Sequence, residues 1–114
     1  MKIQRYAEAQ PYNAPGHFNM TPLRLHSADL SGGKHLTIGM SIFLPGGGAE
    51  FAVIPETMDM NLVYLVVEGE MTVKTETETF KLGPGDSVEW LPGDGRSIIN
   101  ETNNPVKMLV ITGK

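Results

Sequence analysis

Glycine and proline punctuation constrains this chain more than any other feature. Asn13-Ala14-Pro15-Gly16, Ser31-Gly32-Gly33, Pro45-Gly46-Gly47-Gly48, Gly83-Pro84-Gly85 and Pro92-Gly93-Asp94-Gly95 cut the sequence into short runs rich in β-branched residues. Turn clusters of this kind between short β-branched runs predict an all-β sandwich or barrel. No segment carries the period of a long amphipathic helix. At 114 residues the chain builds one domain around a single hydrophobic core.

Residues 1–19 read as a polar, proline-bearing N-terminal arm, and 20–114 as the barrel domain. Strands are expected at Thr21–His26, His35–Leu44, Leu62–Val67, Met71–Lys74, Thr79–Leu82, Ser87–Leu91, Arg96–Asn100 and Val106–Thr112. In the second of these, Leu36, Ile38, Met40, Ile42 and Leu44 alternate with His35, Thr37, Gly39, Ser41 and Phe43, the period-2 pattern of a half-buried strand. The glycine triplet Gly46–Gly48 is expected to end it, with a less regular stretch over Ala49–Asn61. Thr75-Glu76-Thr77-Glu78 reads as a solvated hairpin tip rather than a cation site.

Composition removes several functional classes. The net charge of −4 and the absence of a basic cluster argue against a nucleic-acid partner. The apolar run Leu62–Val67 is far too short to span a bilayer. Without cysteine there is no disulfide, thiolate nucleophile or Cys-ligated zinc. Met1-Lys2-Ile3-Gln4-Arg5 lacks the apolar stretch of a secretory signal, so a cytoplasmic location is the expectation. Gly46–Gly48 lacks the lysine and helix of a phosphate-binding loop.

The segment Gly83-Pro84-Gly85-Asp86 through Pro92-Gly93, Arg96 and Asn100 resembles the second sequence motif of the cupins. Pro45-Gly46, with Val63 through Glu70, resembles the ends of the first. The resemblance covers about half the chain and implies a double-stranded β-helix, or jelly-roll, barrel. Cupins include isomerases, dioxygenases, decarboxylases, lyases, storage proteins and sugar-binding regulators, so the fold alone selects no activity. Their metal is held by two histidines and a glutamate from the first motif and a histidine from the second. Here the glutamate position falls at Leu62. The two histidine positions fall at Glu56 and Met58, at Pro55 and Thr57, or at Ile54 and Glu56, depending on register. The second-motif position is Arg96, a fixed cation. No metal and no other cofactor is expected.

Strand alternation puts Arg96, Ile98 and Asn100 on one face, which the resemblance turns into the barrel. Arg96 then has two readings: a clamp on a ligand carboxylate or phosphate, or a permanent salt bridge to Glu56 or another rim acid. Tyr64 shares the parity of position 62 and offers either a ligand-facing phenol or a core tyrosine. Trp90 walls the pocket or packs in the core; Met58, Met60 and Met40 supply flexible apolar lining, thioether binding of copper being the lesser reading. His17, His26 and His35 read as solvated or hydrogen-bonded, with His17 in reach of a barrel mouth.

The resulting expectation is a metal-free barrel that binds a small anionic or carboxylate-bearing molecule through Arg96, Asn100 and Tyr64, with Glu56, Met58, Trp90 and Met40 nearby. The alternative is a metal-independent isomerase, epimerase or lyase using Glu56 or Tyr64 as acid or base. A third reading is a filled barrel that serves only assembly. The resemblance also implies a homodimer, and the N-terminal arm is the kind of segment that crosses to a partner's sheet.

Overall fold

A computed structural model describes residues 1–114. Nine strands follow a 3-10 turn at Tyr6–Glu8: β1 (Gln10–Pro11), β2 (His17–His26), β3 (Leu36–Val53), β4 (Asn61–Glu68), β5 (Met71–Lys74), β6 (Thr79–Leu82), β7 (Ser87–Trp90), β8 (Gly95–Ile99) and β9 (Val106–Gly113). A four-residue helix, α1 (Ala28–Ser31), sits between β2 and β3. All strand pairs are antiparallel, in the order β6-β5-β8-β3-β9-β4-β7, with β2 on β3 and β1 on β2. This is an all-β jelly-roll barrel. No helix is long and apolar enough to cross a membrane.

The 18-residue β3 does what the sequence does not announce. Its first half pairs with β9; the chain then runs through Pro45–Gly48 and its second half pairs with β8. The glycines therefore carry one strand from one sheet to the other, rather than ending it. A Cβ at Gly47 would overlap the Asn19 carbonyl oxygen, and one at Gly48 the Ile98 carbonyl oxygen. Glycine inside a strand marks this sort of close backbone approach as well as a break.

The N-terminal arm folds onto its own barrel. Gln10 and Pro11 pair with Arg24 and Leu23 of β2, and the Tyr12 N–H donates to Pro22 O at 3.0 Å. This strand pairing is made within the chain.

Alternation along the strands decides what fills the barrel. Gly39, Ser41 and Phe43 of β3 face inward and are buried, whereas Ile38, Met40 and Ile42 are half-buried on the outer face. Met40 is thus removed from the barrel lining. Phe43, Val66, Met71, Val73, Val106 and Met108 are almost wholly excluded from solvent. Each such burial contributes about 1.5–3 kcal/mol. Phe43 stands opposite Val106 and its carbonyl oxygen accepts from Asn100 Nδ2, so these buried residues fill the end of the barrel that holds Asn100, the closed end. The end that holds Arg96 borders a pocket and is the open end.

Candidate functional site

Strand β8 runs from one end of the barrel to the other. Asn100 follows its last residue at the closed end, and Arg96 stands four residues away, about 13 Å along an extended strand. Between them Ile98 is buried, so all three side chains project inward as alternation predicts.

Arg96 is half-buried and fixed by two bonds. Its Nε–H donates to the Tyr64 hydroxyl oxygen at 3.2 Å and its Nη1–H to Ala52 O at 3.0 Å, while Nη2 makes no bond to the protein. The ion pairs of the chain are Lys81–Glu70 and Lys107–Glu68, so Arg96 has no carboxylate partner. The salt bridge to Glu56 is not formed. Glu56 lies exposed on the Pro55–Met58 turn, where its side chain packs beside Gly93. The backbone explains this: Ile54 exchanges two hydrogen bonds with the Gly93–Asp94 turn, and the chain then leaves the barrel. Met58 is on the same exposed turn, 44% accessible and away from the guanidinium.

Tyr64 is buried, its ring edge-on to Trp90 at 6.0 Å between centroids and 5.8 Å from the Arg96 guanidinium carbon. Its hydroxyl oxygen already accepts from a cation, which makes it the acid or base candidate next to the guanidinium. Trp90 belongs to the core, but its indole Nε1–H is buried without an acceptor.

Asn100 is not available to a ligand. Its Nδ2 donates to Phe43 O and Asn104 O at 3.2 and 2.7 Å, and its Oδ1 accepts from the Thr102 N–H and hydroxyl at 3.0 and 2.7 Å. Both donors and both lone pairs are engaged. It ties the β8–β9 turn to β3 at the closed end.

A pocket of about 310 Å3 borders Arg96, with His17, Ala49, Glu50, Ala52 and Ile98 among its walls. His17, Ala49 and Ile98 stand in register across β2, β3 and β8, so they share the inward face. His17 therefore reaches the Arg96 pocket in the same subunit. His26 bonds Ser31 Oγ at 2.8 Å, and His35 is exposed.

Two residues outside the sequence-based candidates complete the open end. Tyr12, delivered by the arm, lies under the Arg24 guanidinium at 4.1 Å. Burial raises the Tyr12 phenol above its ordinary 10.0, Arg24 pulls it back down, and Tyr64 adds a smaller upward push. The signal for Arg24 was a lone cation between Leu23 and Leu25, at the parity of the inward Met20 and Pro22. For Tyr12 there was none, because β1 has only two residues.

The open barrel lined by the alternating faces of two sheets belongs to a defined class. Residues 39–112 match the family model of the cupin domain, and the chain is a member of the cupin family. It is similar to the β-D-galactosidase Rv1717 of Mycobacterium tuberculosis, with 34% identity over 110 residues, 96% of this chain and 91% of that protein. It superposes on the polyketide cyclase RemF from Streptomyces resistomycificus with a TM-score of 0.85 at 17% identity, covering 99% of this chain and 79% of that one. A sugar phosphate isomerase of the cupin superfamily from Silicibacter pomeroyi gives 0.80 at 19% identity, covering 100% and 76%. At these identities the solved structures establish the fold alone.

The metal site of the family does not fit these side chains. No three His, Asp or Glu side chains converge anywhere in the chain. At the positions that the motif spacing assigns to ligands, Glu56 and Met58 are exposed, Leu62 is packed in the core and Arg96 is a fixed cation.

Proposed function

We propose that this cupin binds a small carboxylate-bearing or otherwise anionic organic molecule at the open end of its barrel, with Arg96 as the principal anchor. One observation carries the reading: a half-buried guanidinium with no acidic partner and an unused Nη2, bordering a pocket of about 310 Å3. A cation partly removed from water gains more from a bidentate anion than an exposed one does. Tyr64 and Ala52 O hold the guanidinium in place, so little ordering remains to be done on binding. Calorimetric titration with short-chain carboxylates tests it. Arg96→Met is expected to abolish binding while the far-ultraviolet spectrum stays unchanged; undiminished affinity would overturn the assignment.

The identity to a β-D-galactosidase favours a second reading, hydrolysis of a galactoside. That chemistry commonly uses two carboxyl groups flanking the bond. The Arg96 pocket offers one, Glu50. Carboxylates gather instead around a pocket of about 350 Å3 bordered by Glu76, Glu78, Glu89, Asp94 and Trp90. Turnover of a chromogenic β-galactoside that is lost in Glu89→Gln would support this reading, and absence of turnover in the parent protein would remove it.

We propose further that the chain works as a homodimer. The outer face of β2, β3, β9 and β4 supports this: Leu23, Met40, Leu109 and Leu65 form one cross-strand row, flanked by Ile38, Ile111 and Val63 in the next. An apolar sheet face of this width is more often covered than left to water. Analytical ultracentrifugation of the protein and of Leu109→Asp decides it.

A further inference from the structure

Arg96 is one wall of its pocket, and a second wall has no task in the site described so far. Pro15, Gly16 and His17 form that wall, in a turn closed by the His17 N–H donating to Ala14 O at 3.2 Å. Proline presets φ at the first inner position of such a turn, and Gly16 supplies the φ of 74° that the second requires. The turn is tied to the barrel as well. The Glu50 N–H donates to Gly16 O at 2.9 Å, and His17 stands opposite Ala49.

The imidazole is also held. Its Nδ1 lies 2.9 Å from Pro15 O. A carbonyl oxygen only accepts, so Nδ1 carries the proton of the neutral ring and Nε2 keeps the lone pair. Nε2 makes no bond to the protein. Arg96 reaches toward this wall, because its Nη1–H bonds Ala52 O on β3, the strand that pairs with β2. Ala52 and Ala49 stand opposite Arg96 and Ile98, which are two residues apart on β8 and so about 7 Å along the strand. His17 is one strand spacing beyond Ala49, about 4.8 Å. The guanidinium and the imidazole therefore border one cavity of about 310 Å3, across a gap that a ligand of a few heavy atoms spans.

This cavity has a donor side and an acceptor side. Arg96 offers only N–H groups. His17 Nε2 and the Glu50 carboxylate offer lone pairs, with Glu50 Oε2 beside Gly16, where a Cβ would meet it at 3.8 Å. A plain carboxylic acid satisfies the first side and leaves the second facing bare methylene groups. Glu50 is exposed and already served by water, whereas the imidazole is fixed by its Pro15 bond, so the directed contact falls to a neutral acceptor.

We infer that His17 accepts a hydrogen bond from the ligand, and that the ligand is a short hydroxycarboxylic acid with its carboxylate on Arg96 and its hydroxyl on His17 Nε2. This rests on the Arg96 reading and names its ligand class.

The test is calorimetric titration of the full chain with glycolate, lactate and 3-hydroxypropionate, each against the acid that lacks the hydroxyl. At least one hydroxy acid is expected to bind about fivefold tighter than its parent acid. Its methyl ether, which keeps the oxygen but cannot donate, should bind no better than the parent acid. In His17→Phe the ratio of hydroxy acid to parent acid should fall to about one. His17→Gln, whose amide oxygen can accept in place of Nε2, should retain part of the ratio and guards against a folding defect in the phenylalanine variant. Arg96→Met should remove binding of every acid. A ratio of about one in the parent protein, a ratio that survives in His17→Phe, or a methyl ether as tight as the hydroxy acid overturns the inference and leaves Arg96 standing. Alanine binding tighter than lactate overturns it too, by moving the donor from a hydroxyl to an ammonium group. Failure of every acid to bind overturns both readings.

Discussion

The two ends of the barrel are built from the same strands, yet they treat polar groups in opposite ways. At the closed end Asn100 is wholly buried, with every donor and lone pair engaged, and its own backbone exchanges bonds with Gly46 and Gly47 at 2.8 Å each. At the open end Arg24 Nε and Trp90 Nε1 are buried without acceptors, and Arg96 lacks an acid. A buried group left unbonded costs about 1–3 kcal/mol, so a fold tolerates few of them. Their concentration at one end of one barrel separates a region saturated with hydrogen bonds from the region where we propose a ligand binds.

Substitutions at the closed end should break this contrast most severely. Gly48→Ala is expected to cost about 4 kcal/mol or more, because its methyl group would occupy the place of the Ile98 carbonyl oxygen and the backbone itself must move. Chemical denaturation measures this directly. Asn100→Leu is expected to cost about 3 kcal/mol by stranding the Phe43 and Asn104 carbonyls and the Thr102 N–H. If it proves neutral, the closed end is not held by that network.

The open end should behave in reverse. Arg96→Met is expected to abolish measurable anion binding, a loss of at least about 100-fold, while shifting stability by less than about 1 kcal/mol, since the guanidinium makes only two neutral contacts. A large stability loss with retained affinity would reassign Arg96 to structure. On the outer face, Leu109→Asp should dissociate the proposed dimer in sedimentation and leave the barrel intact, as the residue faces away from the core.

The smallest effect concerns pH. The Tyr12 phenol is raised in the fold, mainly by burial, against the opposing pull of Arg24 and with a lesser contribution from Tyr64. The folded state therefore holds the proton more tightly than the unfolded state. The stability this contributes is present below the unfolded value of 10.0 and is lost as pH rises through the folded value. Tyr12→Phe should flatten that alkaline decline in thermal melts. An unchanged slope above pH 10 would place the titration elsewhere.

Much of the barrel was legible because strand physics is local. Alternation gives the inward parity of Tyr64, Arg96 and Ile98, and turn chemistry puts the bounds of β5 and β6 at Met71–Lys74 and Thr79–Leu82. The glycine triplet was misleading for the same reason: local chemistry cannot distinguish a chain break from a strand crossing between sheets. Met40 was set in the lining because alternation defines two faces without saying which is inside; burial of Gly39, Ser41 and Phe43 decides that. Asn100 and Arg96 look equivalent on one strand face, and only their neighbours separate a saturated amide from an unpaired cation.

By itself the sequence determined the all-β class, the strand rhythm and the family. Each of these depends on residues near one another in the chain. The tertiary structure alone decided that Glu56 stands apart from Arg96, that the arm returns to its own β2, and that Tyr12 and Arg24 join Tyr64 at the open end. Those relations connect residues a dozen or more positions apart, and Tyr12 takes the space that Gly39 leaves free. What fills the place of a missing side chain is a property of the packed barrel, and nothing in the local pattern of the chain announces it.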